Sequence, residues 1–117
     1  MSIPVLHSLS SPDLERGQLP EDPTSCAVVL NAEIGPASGG AENFSFTVVT
    51  PDQVLAAGGV RWGRGYLIVE QFSWDAIDRA ISKLLPFADR PTWRESAVQL
   101  AKEMHWEFDG YSEFVSR

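Results

Sequence analysis

The chain has 117 residues, 44% of them hydrophobic and 10% aromatic, enough for one globular core and too little for two ordinary ones. With 16 acidic side chains against 9 basic ones, the formal net charge is −7; this repels a bare phosphate backbone, argues against direct nucleic-acid binding and favours a basic partner. The single cysteine, Cys26, excludes an internal disulfide, and the absence of a signal-peptide pattern or a membrane-length apolar stretch predicts a cytoplasmic protein.

Prolines 4, 12, 20 and 23 punctuate the first two dozen residues, so one short strand fits, at about residues 3–9, followed by an irregular connection. Residues 26–34 alternate: Cys26, Val28, Leu30, Ala32 and Ile34 face one way, and Ala27, Val29, Asn31 and Glu33 the other. The glycine-rich GPASGGAEN separates this half-buried strand from FSFTVVT, where Phe44, Phe46 and Val48 resume the alternation; the pair predicts an antiparallel hairpin. In TPDQVLAAGG, Thr50 is placed to cap a short helix with Pro51 in its first position, and Gly58 and Gly59 to end it. The run GYLIVEQF, apolar on both sides apart from Glu70, reads as an interior strand covered on at least one side.

At residue 73 the period changes from two to 3.6. Ser73 is an N-cap, and Trp74, Ile77, Ile81, Leu84 and Leu85 form the apolar stripe of a helix that ends at Pro86. A second amphipathic helix follows in PTWRESAVQLAKEMHW, with Thr92 and Glu95 at capping-box spacing and Trp93, Ala97, Leu100 and Met104 on one face. Strands followed by helices predict an α+β fold: an antiparallel sheet of about four strands with two C-terminal amphipathic helices packed on one face.

The search for chemistry centres on HWEFDGY, residues 105–111. With two histidines in the chain, His7 and His105, and one cysteine, no Cys/His zinc framework can be assembled, and HEXXH is absent. G-x-S-x-G is missing, and the glycine-rich GGVRWGRG lacks the spacing of a phosphate-binding loop and precedes a strand. No catalytic residue, metal ligand or cofactor is assigned on this basis. The enzymatic alternative is a small hydrolase or metal-assisted enzyme centred on His105, Glu107 and Asp109, which requires burial to raise one carboxyl pKa. The other reading is an acidic rim of Glu103, Glu107, Asp109 and Glu113 around aromatic residues, with Trp106 and Phe108 closing the core at the end of the last helix.

The ordered set SPDL, LPEDP, AEIGP, FSFTVVTPDQVL, YLIV, FSWDAIDRAI and TWRESAVQLAKEMHWEFDGY resembles the immunity protein 8 family, Imm8, of bacterial polymorphic toxin systems. The family's ending, WEF followed by two acidic residues and tyrosine, is kept here except that Gly110 replaces the second acid. The resemblance implies that residues 1–117 form a single non-enzymatic immunity domain that neutralises a cognate toxin inside the producing cell. A basic, nuclease-like toxin suits the charge, with Glu103, Glu107, Asp109, Tyr111 and Glu113 as contact residues and Trp62, beside Arg61 and Arg64, as a second patch. A general protein-interaction domain without a toxin partner is the remaining alternative.

Overall fold

The computed structural model describes residues 3–56 and 63–109. Strand β1, Val5–Ser10, pairs antiparallel with β2, Ala27–Gly35, which pairs antiparallel with β3, Glu42–Val49. The alternation in β2 sets its register. Val28, Leu30, Ala32 and Ile34 are buried on one face, while Val29 remains 40% exposed on the other. A slip of one residue would turn Val28, Leu30 and Ile34 into water, at roughly 2 kcal/mol each. The combined loss, about 6 kcal/mol, rivals the whole stability of an ordinary domain.

The short helix α1, Pro51–Leu55, follows β3 with Thr50 at its N-cap and Pro51 in its first turn. Thr50 does not cap through its side chain. It is fully buried, and its hydroxyl accepts from the Cys26 amide at 3.0 Å and donates to Asp52 Oδ1 at 2.6 Å. The helix ends at Leu55 with Ala56 as its C-cap; Gly58 and Gly59 lie outside the described residues.

The run after Gly65 differs from the interior strand that its composition predicts. Strand β4 is short, Tyr66–Ile68, and pairs parallel with β3 at the edge of the sheet, in the order β1-β2-β3-β4. Leu67 packs against the core, and Ile68 is 59% exposed. The strand is thus covered on one face, and it differs from the expectation in lying at the edge of the sheet.

Helix α2, Trp74–Leu84, begins where Ser73 accepts a hydrogen bond from the Ala76 amide, and a 3-10 turn, Leu85–Ala88, carries Pro86 beyond its end. Helix α3, Trp93–Leu100, is capped by Thr92, whose hydroxyl accepts from the Glu95 amide at 3.2 Å and donates to the Glu95 carboxylate at 2.9 Å. Trp74, Ile77, Ile81, Ala97 and Leu100 join the buried face of the sheet in one core, so the helices cover that face. Each fully buried aliphatic side chain contributes about 1.5–3 kcal/mol. The irregular connection after β1 is held against α2. Arg16 pairs with Asp78 at 2.5 Å and lies 5.0 Å from the centre of the Trp74 ring, while Trp74 Nε1 donates to the Gln18 carbonyl.

The last helix stops sooner than its apolar spacing predicts. The chain leaves α3 at Ala101, turns, and enters a two-residue strand, β5, His105–Trp106, antiparallel to β3. The second edge of β3 is therefore shared: β4 pairs with its C-terminal half and β5 with Phe44 and Ser45. Gly65 joins the two segments, accepting from the Thr47 amide at 2.8 Å and donating to the Glu103 carbonyl at 2.9 Å.

Candidate interaction surface

The acidic residues singled out in the sequence lie on the segment that carries β5. Glu103 sits in the turn after α3, Glu107 follows β5 with its amide bonded to the Asn43 carbonyl at 3.1 Å, and Asp109 closes the next turn by donating to the Trp106 carbonyl. All three are exposed. Their electrostatic states differ. Asp109 forms an ion pair with Arg64 at 2.5 Å, and both side chains keep nearly half of their surface in water. Such a pair adds about 0–1 kcal/mol to stability, yet it matches the charge of Asp109 and joins two residues assigned to separate patches. Among the described residues, Glu103 and Glu107 have no ion pair, so they carry the unmatched negative charge of this edge. Trp62, Arg61, Gly110, Tyr111 and Glu113 lie outside the described residues.

Alternation along β5 sends His105 and Trp106 to opposite faces. Trp106 turns to the core, stacks on Phe44 with ring centres 6.2 Å apart and donates from Nε1 to Glu42 at 2.9 Å. Phe108 does not close the core: it lies edge-on to Trp106 and is 39% exposed, because the chain has left the sheet by residue 107. His105 points to the opposite face and lies against Gly65, where a Cβ would stand 2.3 Å from its Nε2. Gly65 has φ +85°, a left-handed conformation suited to glycine, and the missing side chain is what admits the imidazole.

His105, Glu107 and Asp109 are not joined by hydrogen bonds among the described residues. The imidazole meets a glycine, and one carboxylate is held by an arginine. Among the described residues, no group of three or more His, Cys, Asp or Glu side chains is placed to hold a metal ion.

Beside this edge lies a recess of about 160 Å³. Ala80, Ile81 and Leu84 of α2 form one wall, Phe46, Tyr66 and Leu67 of the sheet form the other, and Glu103 and Met104 come from the turn before β5. A cavity of about 150 Å³ holds a benzene ring, so this volume suits one side chain of medium to large size. No local sequence signal marks it, because its walls come from segments far apart in the chain. Glu103 alone was visible as a candidate from its charge.

A polar cluster gathers at the start of β2, where the sequence alone signals only the Thr50 cap. Asp52 accepts from Ser25 Oγ at 2.5 Å and from the Thr50 hydroxyl, and Gln53 Nε2 donates to Ser25 Oγ at 3.2 Å. The Ser25 bond, followed by that from Thr50, holds the Asp52 carboxyl below its ordinary pKa; bonds from Thr24 do the same for Asp22. Burial pushes the Cys26 thiol in the opposite direction, above its ordinary value. The cluster ties the loop before β2 to the start of α1.

A sheet backed by helices on one face, with carboxylates along one edge, defines an α+β protein whose most distinctive chemistry lies on its surface. Comparison with family models makes the assignment specific: the chain belongs to the immunity protein 8 family, Imm8, whose model matches residues 3–111. It is an immunity protein by family. No curated protein and no solved structure gives a match. Among the described residues, no helix is long and apolar enough to cross a membrane.

Proposed function

We propose that this protein binds a cognate toxin in the cytoplasm of the cell that makes both and neutralises it without catalysing a reaction. The observation that carries this reading is the family match across residues 3–111. The net charge of −7 and the exposed Glu103 and Glu107, which have no ion pair among the described residues, support a basic toxin, such as a nuclease whose substrate cleft is itself positive. Long-range attraction speeds the encounter, and a few desolvated contacts set the lifetime of the complex. Asp109 takes part as half of an ion pair with Arg64, which presents donors and acceptors together. Tyr111, Glu113 and Trp62 are proposed as further contact residues.

The test is co-expression with the toxin encoded beside its gene, followed by co-purification. Growth should be restored and a stoichiometric complex recovered, with association slowing as salt rises. Undiminished toxicity together with no complex at micromolar concentration would overturn the reading.

A further inference from the structure

We propose that the recess between α2 and the edge of the sheet is the anchor pocket of this protein and that it receives one arginine side chain from the toxin. The inference rests on the immunity reading and specifies the chemistry of its contact. Three observations select the occupant. The volume, about 160 Å³, admits a single side chain and excludes a folded element. Apart from the Tyr66 phenol and Glu103, its lining is apolar, drawn from the sheet, α2 and Met104, and it matches a long aliphatic stem. Glu103 is among the lining residues, exposed and with no ion pair among the described residues.

A leucine or phenylalanine would fill the walls and gain nothing from the carboxylate. A short acidic side chain would meet repulsion. An arginine uses both parts: its methylenes lie along the apolar walls while its planar guanidinium forks onto the two oxygens of Glu103. A guanidinium is also more weakly hydrated than an ammonium, so it loses less on leaving water, and arginine is enriched among the residues that dominate binding energy. The position of Glu103 is fixed locally, since its carbonyl accepts the Gly65 amide at 2.9 Å and its neighbour Met104 is buried. The backbone that carries the carboxylate is thus set before the partner arrives.

The experiment measures binding of a catalytically inactivated form of the toxin encoded beside the gene to the wild-type protein and to three variants. Glu103→Gln removes the charge at an exposed site, Ala80→Trp fills the recess from α2, and Glu21→Gln makes the same charge change in the exposed N-terminal connection. Glu103→Gln and Ala80→Trp should each weaken binding by about tenfold or more, and Glu21→Gln by less than about threefold. Replacing each toxin arginine in turn should identify one whose loss is not additive with Glu103→Gln. If the wild type binds and both recess variants bind equally well, the pocket assignment is wrong while the immunity reading stands. If Ala80→Trp weakens binding and Glu103→Gln does not, the occupant is apolar and the arginine assignment is overturned. If the wild type itself neither binds nor protects, the immunity reading fails and the inference falls with it. Glu103→Gln lies outside the core, so its coupling to a single toxin arginine tests the assignment even if Ala80→Trp does not fold, and additive losses with every arginine would overturn it.

Discussion

Gly65→Ala isolates the joint at which the two segments on the second edge of β3 meet. The backbone there has φ +85°, where a residue with a Cβ is strained by about 1–2 kcal/mol. The new methyl would also stand 2.3 Å from His105 Nε2 and 2.8 Å from Cδ2, so the imidazole must move. His105 is exposed, and its ring can swing into water, which limits this second cost to about 1 kcal/mol. The total is about 2–3 kcal/mol, or a fall of about 10 °C in melting temperature for a domain of this size. Urea unfolding followed by far-ultraviolet circular dichroism measures it, and a double-mutant cycle with His105→Ala separates the parts. In the His105→Ala background, Gly65→Ala should cost only the backbone component, about 1–2 kcal/mol. A cost below about 0.5 kcal/mol in the wild-type background would refute the strain argument. An identical cost in both backgrounds would refute the packing of the imidazole on Gly65.

Three further outcomes follow from the same physical reasoning. Trp106→Ala should destabilise the fold by about 3–5 kcal/mol, through loss of the buried indole on Phe44 and its bond to Glu42, whereas Phe108→Ala should cost about 1 kcal/mol; denaturant midpoints compare them. Thr50→Val keeps the shape of the side chain but leaves the buried Cys26 amide without its side-chain acceptor, at about 1–3 kcal/mol, read from the same unfolding curves. Asp22 and Asp52 have folded pKa values below the ordinary 3.8, so their contribution is complete above that value and is lost as pH falls through the lower folded values; Asp52→Asn should flatten the stability profile below about pH 4.

The legible parts of the fold are those where one face meets water. In β2 the polar residues Asn31 and Glu33 mark the wet side, so the alternation of Val28, Leu30, Ala32 and Ile34 gives both the strand and its buried face. In α2 the stripe from Trp74 to Leu85 and the Ser73 cap do the same for a helix. The end of α3 was hidden because Trp93, Ala97, Leu100 and Met104 continue at helical spacing past the point where the chain turns, and a two-residue strand has no period of its own. The parallel edge at β4 was hidden for the opposite reason: Tyr66, Leu67 and Ile68 are apolar enough for an interior strand, and nothing local records that one side is open. On the surface, Glu103, Glu107 and Asp109 were visible as charges, but the pairing of Asp109 with Arg64 joins positions 45 residues apart. The recess was invisible because Phe46, Ala80 and Glu103 become neighbours only after the helices fold back on the sheet.

The shared edge of β3 also orders events during synthesis. As the nascent chain leaves the ribosome, the hairpin of β2 and β3 emerges early, and β4 soon covers the C-terminal half of the exposed edge. Phe44 and Ser45 must wait until residues 105 and 106 have been made, with both long helices synthesised in between. Until then the backbone at that end of β3 is open to any passing strand, and Phe44 lacks the indole that stacks on it. Completion of the sheet, and with it the placing of Glu107 on the finished edge, therefore follows the synthesis of both helices. A chain arrested before Trp106 would present an adhesive strand in place of an acidic rim.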